Sequence, residues 1–223
     1  MQLVQATESH VLPFASEVVE LYWSTGPVSY GYQLGGRNMM DALVSASWPV
    51  PGTLFGYDGA TLALDDGKLV GIEVGFIDPG FEMRVAALSA LWPGLLEAGA
   101  VDLEGMDGII RRAAQCAWLN PTIPDDVYYL HAVAVSDQHR GKGCGGLLMR
   151  NALERAQRAG ASGLQLDVLS DNPAVDFYRA FGLECVVEST APLPLAAGVP
   201  TEYRMEMRFP VKQSAAADHD GNL

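Results

Sequence analysis

Residues 138–148 read Gln138-His139-Arg140-Gly141-Lys142-Gly143-Cys144-Gly145-Gly146-Leu147-Leu148. An apolar run, Tyr128 to Val135 (YYLHAVAV), leads into this stretch, and a helical pattern, Leu147 to Ala159 (LLMRNALERAQRA), leaves it. Four glycines fall within residues 141–146, and Arg140 and Lys142 flank the first of them. Glycine lets backbone N–H groups turn inward and approach a ligand closely. The start of a helix adds unpaired N–H donors and a partial positive charge. Strand, glycine loop and helix start together predict a site for phosphate oxygens.

The rest of the composition narrows what such a site serves. With 49% apolar and 18% charged residues, the 223-residue chain reads as globular with an ample core. No apolar run reaches the length of about 18 that a membrane span needs, and the opening MQLVQATESH lacks the basic-then-apolar order of a signal peptide. Cys116, Cys144 and Cys185 are too few and too widely spaced for a disulfide framework or a metal knuckle. No His/Cys/Asp cluster has metal-ligand spacing, so no metal is expected. The simplest compartment is a reducing cytoplasm. A net charge of −13 argues against nucleic acid as a partner, because phosphate binding needs a basic surface. The same charge would attract a cationic substrate, and it serves solubility equally well.

Along the chain, Gln2 to Gln5 read as a strand and Thr7 as the N-cap of a first helix over Val11–Trp23, ended by Thr25-Gly26-Pro27. A second helix covers Asn38 to Ser47. Ala60–Leu64 and Val70–Ile77 are apolar runs joined by Asp65-Asp66-Gly67-Lys68, a hairpin signal. Two helical patterns, Phe81–Ala98 and Leu103–Leu119, then form an insertion over 78–127, with Pro93-Gly94 breaking the first. Its apolar side either completes the core or builds a substrate wall or a homodimer interface.

After the glycine loop come a strand at Leu164–Leu169, a short helix at Ala174–Phe181 closed by Gly182, and strands at Glu184–Ser189 and Glu202–Phe209. In the last strand Met205, Met207 and Phe209 alternate with Arg204, Glu206 and Arg208, which predicts one solvated face. Residues 212–223 are small and polar and are expected to be disordered. The reading is one α+β domain over 1–211, with a mixed, mostly antiparallel sheet of about seven strands and a helical insertion between the third and fourth.

Two phosphate sites compete. Gly141, Gly143 and Gly146 satisfy G-x-G-x-x-G, and Asp167 follows at a strand, formally a dinucleotide fingerprint. That geometry wants glycine directly after the strand, whereas Ser136 to Arg140 intervene here. The segment Val135 to Gly145 instead resembles motif A of the GNAT superfamily, the acetyl-CoA-dependent N-acetyltransferases, whose Arg/Gln-x-x-Gly-x-Gly/Ala is met by Arg140, Gly143 and Gly145. Asp171-Asn172-Pro173-Ala174-Val175-Asp176-Phe177-Tyr178-Arg179-Ala180-Phe181-Gly182-Leu183 resembles motif B, and the resemblance covers about residues 128–189.

The resemblance implies acetyl-CoA as co-substrate, with its pyrophosphate held by backbone amides of Arg140, Gly141, Lys142, Gly143, Cys144 and Gly145. It implies a strand splayed from its neighbour, leaving backbone groups near Val133 and Val135 for pantetheine. It also implies Tyr178 as the acid that protonates the departing thiolate. The motif B asparagine slot falls on Asp171 or on Asn172, and we take Asn172 as the cofactor-side contact.

Acetyl transfer to a primary amine needs a base, because an amine of pKa about 10 is protonated at neutral pH. The slot where the family often carries a glutamate falls on Tyr129 here. His131, two residues on, shares its face and has the intrinsic pKa of a base; a structural histidine in an apolar strand is the competing reading. Glu73 and a water chain are the other candidates for the base. The expected activity is therefore N-acetyl transfer to a small-molecule or peptide amine by direct transfer in a ternary complex. A non-catalytic acetyl-CoA-binding sensor or scaffold is the alternative, and a dinucleotide-binding protein the remote one.

Overall fold

The computed structural model describes residues 1–77 and 79–210. The sheet has strands β1 (Gln2–Gln5), β2 (Ala60–Asp65), β3 (Lys68–Ile77), β4 (Val127–Val135), β5 (Gly163–Leu169), β6 (Glu184–Ser189) and β7 (Glu202–Arg208). Their order in space is β1-β2-β3-β4-β5-β7-β6. Every neighbouring pair is antiparallel except β4 and β5, which are parallel. Helices α1 (Ala15–Thr25), α2 (Pro27–Leu34) and α3 (Arg37–Ser47) precede β2. Helices α4 (Gly80–Leu88), α5 (Trp92–Glu97) and α6 (Leu103–Cys116) lie between β3 and β4, the position expected for the insertion. Helix α7 (Cys144–Arg158) links the parallel pair, α8 (Ala174–Ala180) follows β5, and α9 (Pro192–Ala196) precedes β7.

Local chemistry explains several of these elements. The β2–β3 hairpin closes with Asp65 opposite Lys68, leaving Asp66 (φ 48°) and Gly67 (φ 76°) at the turn. Two consecutive positive φ values match the right-handed twist of the strands, and Asp-Gly supplies them cheaply. Helix α6 starts where the Asp102 side chain accepts a hydrogen bond from the Gly105 N–H at 2.7 Å.

The core is split by the sheet. Leu62, Ile72, Val74, Ala132 and Ala134 pack in one cluster with Val18 and Tyr22 of α1 and Met40 and Val44 of α3. Tyr128, Leu130, Leu164, Leu166 and Met205 pack in another with Met149 and Ala152 of α7.

Four readings from the sequence need correction. Thr7 caps a 3-10 turn, Glu8–His10, where its N–H and hydroxyl both meet His10 Nδ1, so α1 begins only at Ala15. The first helix ends at Thr25 as read, but the reading lacks the helix that follows: Pro27 starts α2, because the first position of a helix has no use for the N–H that proline lacks. Likewise Pro93 opens α5, and the break before it is the 3-10 turn Ser89–Leu91. The polar side of β7 is not uniformly solvated: Arg204 is 3% exposed, because this end of the strand lies beneath the segment after α6. The expected disordered tail, 212–223, lies outside the described residues.

Candidate active site at the divergence of β4 and β5

Two irregularities in β4 shape the centre of the sheet. Val74 pairs with Ala132 and Gly75 with Leu130, so His131 is an extra residue without a cross-strand partner. Such a bulge bends the strand and puts His131 and Ala132 on one face. In addition, β4 pairs with β5 only through Val127, Tyr128 and Tyr129. Beyond that point Leu166 to Leu169 pair with β7 alone, and the two central strands diverge. Ser136 N–H donates to Val70 O at 2.9 Å, so Ser136 and Ala134 turn their backbone groups toward β3. By alternation, those of Val133 and Val135 face the opening.

The glycine loop closes the wide end of this opening. Gly141 and Gly143 have φ of 72° and 84°, and no atom lies within 4 Å of where a Cβ would sit on either. Backbone conformation rather than crowding therefore demands glycine. Gly143 is the N-cap of α7 and supplies no side-chain cap; the first helical bond is Leu147 N–H to Gly143 O at 3.1 Å. The N–H groups of Cys144, Gly145 and Gly146 are thus left without helical acceptors.

Arg140 turns back on the loop, donating from Nε to Val135 O at 3.3 Å and pairing with Asp137 at 3.0 Å, while Lys142 is exposed. The Cys144 side chain does not point out of the loop. It is buried with Ala63, Val70 and Leu148, and burial first, then the charge of Asp65, pushes its thiol pKa up.

Opposite the loop, Tyr178 on α8 is buried in the cluster that holds Leu130, Leu166 and Val168. Burial alone pushes its phenol up to about 12, and no hydrogen bond to its hydroxyl occurs among the described residues. Asn172 is half-buried, and its Oδ1 accepts from Ala174 N–H at 2.9 Å to start α8, which leaves only its amide NH2 for a ligand; Asp171 is exposed.

On the other face, His131 is enclosed by the rings of Phe55, Phe76, Phe81 and Tyr129 at centroid distances of 5.8–6.3 Å. Its Nε2 is buried without a partner, and burial, reinforced by the Arg84 charge, lowers its pKa to about 4. Glu73 is fully buried on the α7 side, held by Arg155 Nη1 (2.9 Å), Asn151 Nδ2 (3.0 Å) and Tyr128 OH (3.0 Å). A carboxylate so enclosed cannot meet an acceptor, which removes Glu73 as a base.

Tyr129 donates its hydroxyl to Asp167 Oδ2 at 2.9 Å, and Asp167 forms a two-pronged pair with Arg204. Arg204 also donates to Pro121 O at 2.7 Å. Asp167, the acidic residue of the dinucleotide pattern, is therefore consumed in a buried ion pair and is not free for a ribose.

Glu202, on the same face of β7 as Arg204, escaped the sequence reading. It begins the alternation that continues through Arg204, Glu206 and Arg208, and an aspartate at the centre of LQLDVL was the available sign that this face is buried. A separate cavity of about 650 Å³, lined by Asp58, Arg84, Asn151, Arg155 and Arg158 among others, lies at the opposite end of α7 from the loop. Among the described residues no helix is long and apolar enough to cross a membrane, and no group of three or more His, Cys, Asp or Glu is placed to hold a metal ion.

Known proteins share this arrangement. No curated protein sequence matches the chain. Its structure is similar to that of an acetyltransferase at 18% identity, covering 94% of this chain and 100% of the other, with a TM-score of 0.66. It is similar to an N-acetyltransferase from Staphylococcus aureus Mu50 at 15% identity, covering 93% and 100%, also at 0.66. The polyamine N-acetyltransferase of Drosophila melanogaster matches at 15% identity, covering 93% and 99%, with a TM-score of 0.56. At such identities the likeness is one of fold. In sequence, residues 107–183, which span the bulged strand, the glycine loop, α7 and α8, match the model of the acetyltransferase (GNAT) family. The match to the acetyltransferase (GNAT) family is confined to residues 107–183, and the fold around it is similar to that of solved acetyltransferases.

Proposed function

We propose that the protein is an N-acetyltransferase that moves the acetyl group of acetyl-CoA to a primary amine of a small molecule or peptide, by direct transfer in a ternary complex. The observation that carries this reading is the divergence of β4 from β5 above the uncapped start of α7. Pantetheine is an extended chain with amide groups, and the backbone of Val133 and Val135 offers it the ladder that β5 has vacated. The pyrophosphate suits the N–H groups from Gly141 to Gly145 and the positive end of the helix. The amide NH2 of Asn172 is available to the same ligand.

In the reaction the amine nitrogen bonds to the thioester carbon and the C–S bond breaks. The Val133 N–H, which faces the opening between β4 and β5, would hold the oxyanion. Tyr178 stays a phenol at neutral pH, so it has a proton to give.

The test is calorimetric binding of acetyl-CoA, followed by thiol release across a panel of amines led by small cationic ones. Binding followed by amine-dependent release supports the reading. Tight binding with no acceleration by any amine supports a non-catalytic acetyl-CoA module instead.

A further inference from the structure

Glu202 opens β7 opposite Leu169, the last residue of β5, at the end of the sheet where β4 has already left β5. It shares its face with Arg204 and, across the strand pair, with Asp167, the face on which Tyr129 reaches Asp167. Above this corner the chain closes a roof. Tyr32 of α2 donates to Gln115 Oε1 of α6 at 2.6 Å, and Tyr32 and Leu169 both pack on the cluster of Cys116, Leu119, Ala191 and Val199. Three segments distant in sequence (α2, the end of α6 and the loop carrying α9) thus meet over the β5–β7 corner.

Beneath that roof one acid stands outside the ion pair. Asp167 and Arg204 neutralise each other at 3–4% exposure. Glu202 is half-buried beside them, and among the described residues no hydrogen bond or salt bridge reaches its carboxyl group. A carboxylate taken partly out of water without a partner is costly unless something cationic completes it. On the acetyl-transfer reading the thioester would lie where β4 parts from β5, and Glu202 stands at that same end of β5, opposite Leu169.

We propose that Glu202 is the general base, and that the acceptor enters between the α2–α6 roof and the β5–β7 corner as an ammonium ion paired with it. The assignment rests on the acetyl-transfer reading above. The Glu202 carboxylate takes one proton from the ammonium and later passes it to solvent. The neutral nitrogen then bonds to the acetyl carbon as the C–S bond breaks, and the second proton lost from nitrogen balances the one delivered to sulfur through Tyr178. The acceptor class that follows is a primary amine presented as a cation.

Burial, then the Asp167 charge, raises the Glu202 pKa to about 8, with Arg204 opposing. The other titratable groups that feel its charge are Tyr129 of β4, Tyr30 of α2 and Cys116 of α6. A base at about 8 lies close to an amine of about 10 and far nearer to it than His131 at about 4, so proton transfer to Glu202 is the less uphill step.

The experiment compares wild type with Glu202→Gln on putrescine, agmatine, phenethylamine and a tripeptide with a free N-terminus, at saturating acetyl-CoA and across pH 6 to 10. For the amine that wild type acetylates, kcat/KM is expected to fall about a hundredfold with acetyl-CoA affinity unchanged. The rising limb of the pH profile should move from about 8 to the amine's own pKa of about 10. A loss smaller than about tenfold, or a limb that stays in place, overturns the assignment. Should the glutamine variant not fold, Glu202→Asp keeps the carboxylate but withdraws it from the amine; a reduced kcat with the rising limb retained supports the role, and an unchanged kcat overturns it. If wild type itself turns over no amine, the acetyl-transfer reading has failed, a result visible before any variant is made.

Discussion

Removing Arg155 should loosen the whole site without touching it. Arg155 reaches from α7 to Glu73 Oε2 at 2.9 Å and Oε1 at 3.1 Å, to Thr61 Oγ1 at 3.1 Å and to the backbone carbonyl of Gly75 at 3.2 Å. Its guanidinium also lies over the Tyr128 ring at 5.7 Å. In Arg155→Ala the Glu73 side chain, at 0% exposure, would keep two neutral donors, Tyr128 OH and Asn151 Nδ2, but no cation. Breaking a buried pair from one side costs about 3–5 kcal/mol. The two surviving donors place the expected loss near the lower figure, about 3 kcal/mol. For a domain of this length that is a fall in Tm of about 6–12 °C, at about 2–4 °C per kcal/mol.

Helix α7 carries the loop at its other end, so acetyl-CoA affinity should weaken alongside stability. The double variant Glu73→Gln, Arg155→Met removes both charges and should recover most of the loss. Thermal and urea unfolding, with calorimetric titration of acetyl-CoA, measure both effects. A loss under about 1 kcal/mol for Arg155→Ala, the worth of a surface pair, would refute the view that this buried pair fastens α7 to the sheet.

Other perturbations probe the site directly. Gly143→Val forces a β-branched residue into φ 84°, at a strain of about 1–3 kcal/mol; acetyl-CoA binding should vanish from a folded protein, and retained affinity would remove the loop from the donor site. Tyr178→Phe should lower kcat about a hundredfold with acetyl-CoA affinity intact, whereas an unchanged rate would dismiss Tyr178 as the acid. His131 has its pKa depressed to about 4 in the fold, so the unfolded chain takes up the proton first as pH falls from about 6.5. Wild type therefore loses stability over that window. His131→Phe should not, and its Tm should gain on wild type between pH 7 and pH 5; a constant difference would show that His131 is not held neutral by burial.

Much of the fold was legible because its signals are local. The Asp-Gly turn joins neighbours, so the β2–β3 hairpin could be read from four residues. Helices α3, α6, α7 and α8 announced themselves by periodicity and caps. Helix α2 was hidden because Pro27 reads as a stop when the preceding helix is followed and as a start only when the next one is known. Tertiary burial overrode pattern in β7, where the alternation that predicts a solvated face runs through Arg204, which meets Asp167 across the strand pair. His131 looked like a base by residue type; the four rings around it come from β3, β4, α4 and the loop before β2, and none of that enclosure is written beside it in the chain.

The sequence by itself determined the glycine loop between a strand and a helix, because consecutive residues carry the positive φ values and the unpaired N–H groups of that helix start. Only the tertiary structure decided how the site is completed. The bulge at His131, the parting of β4 from β5, the sealing of Glu73 by Arg155 and the exclusion of Glu202 from the Asp167–Arg204 pair each depend on residues tens of positions apart. Burial sets the charge and reach of such groups, and burial is a property of the packed chain.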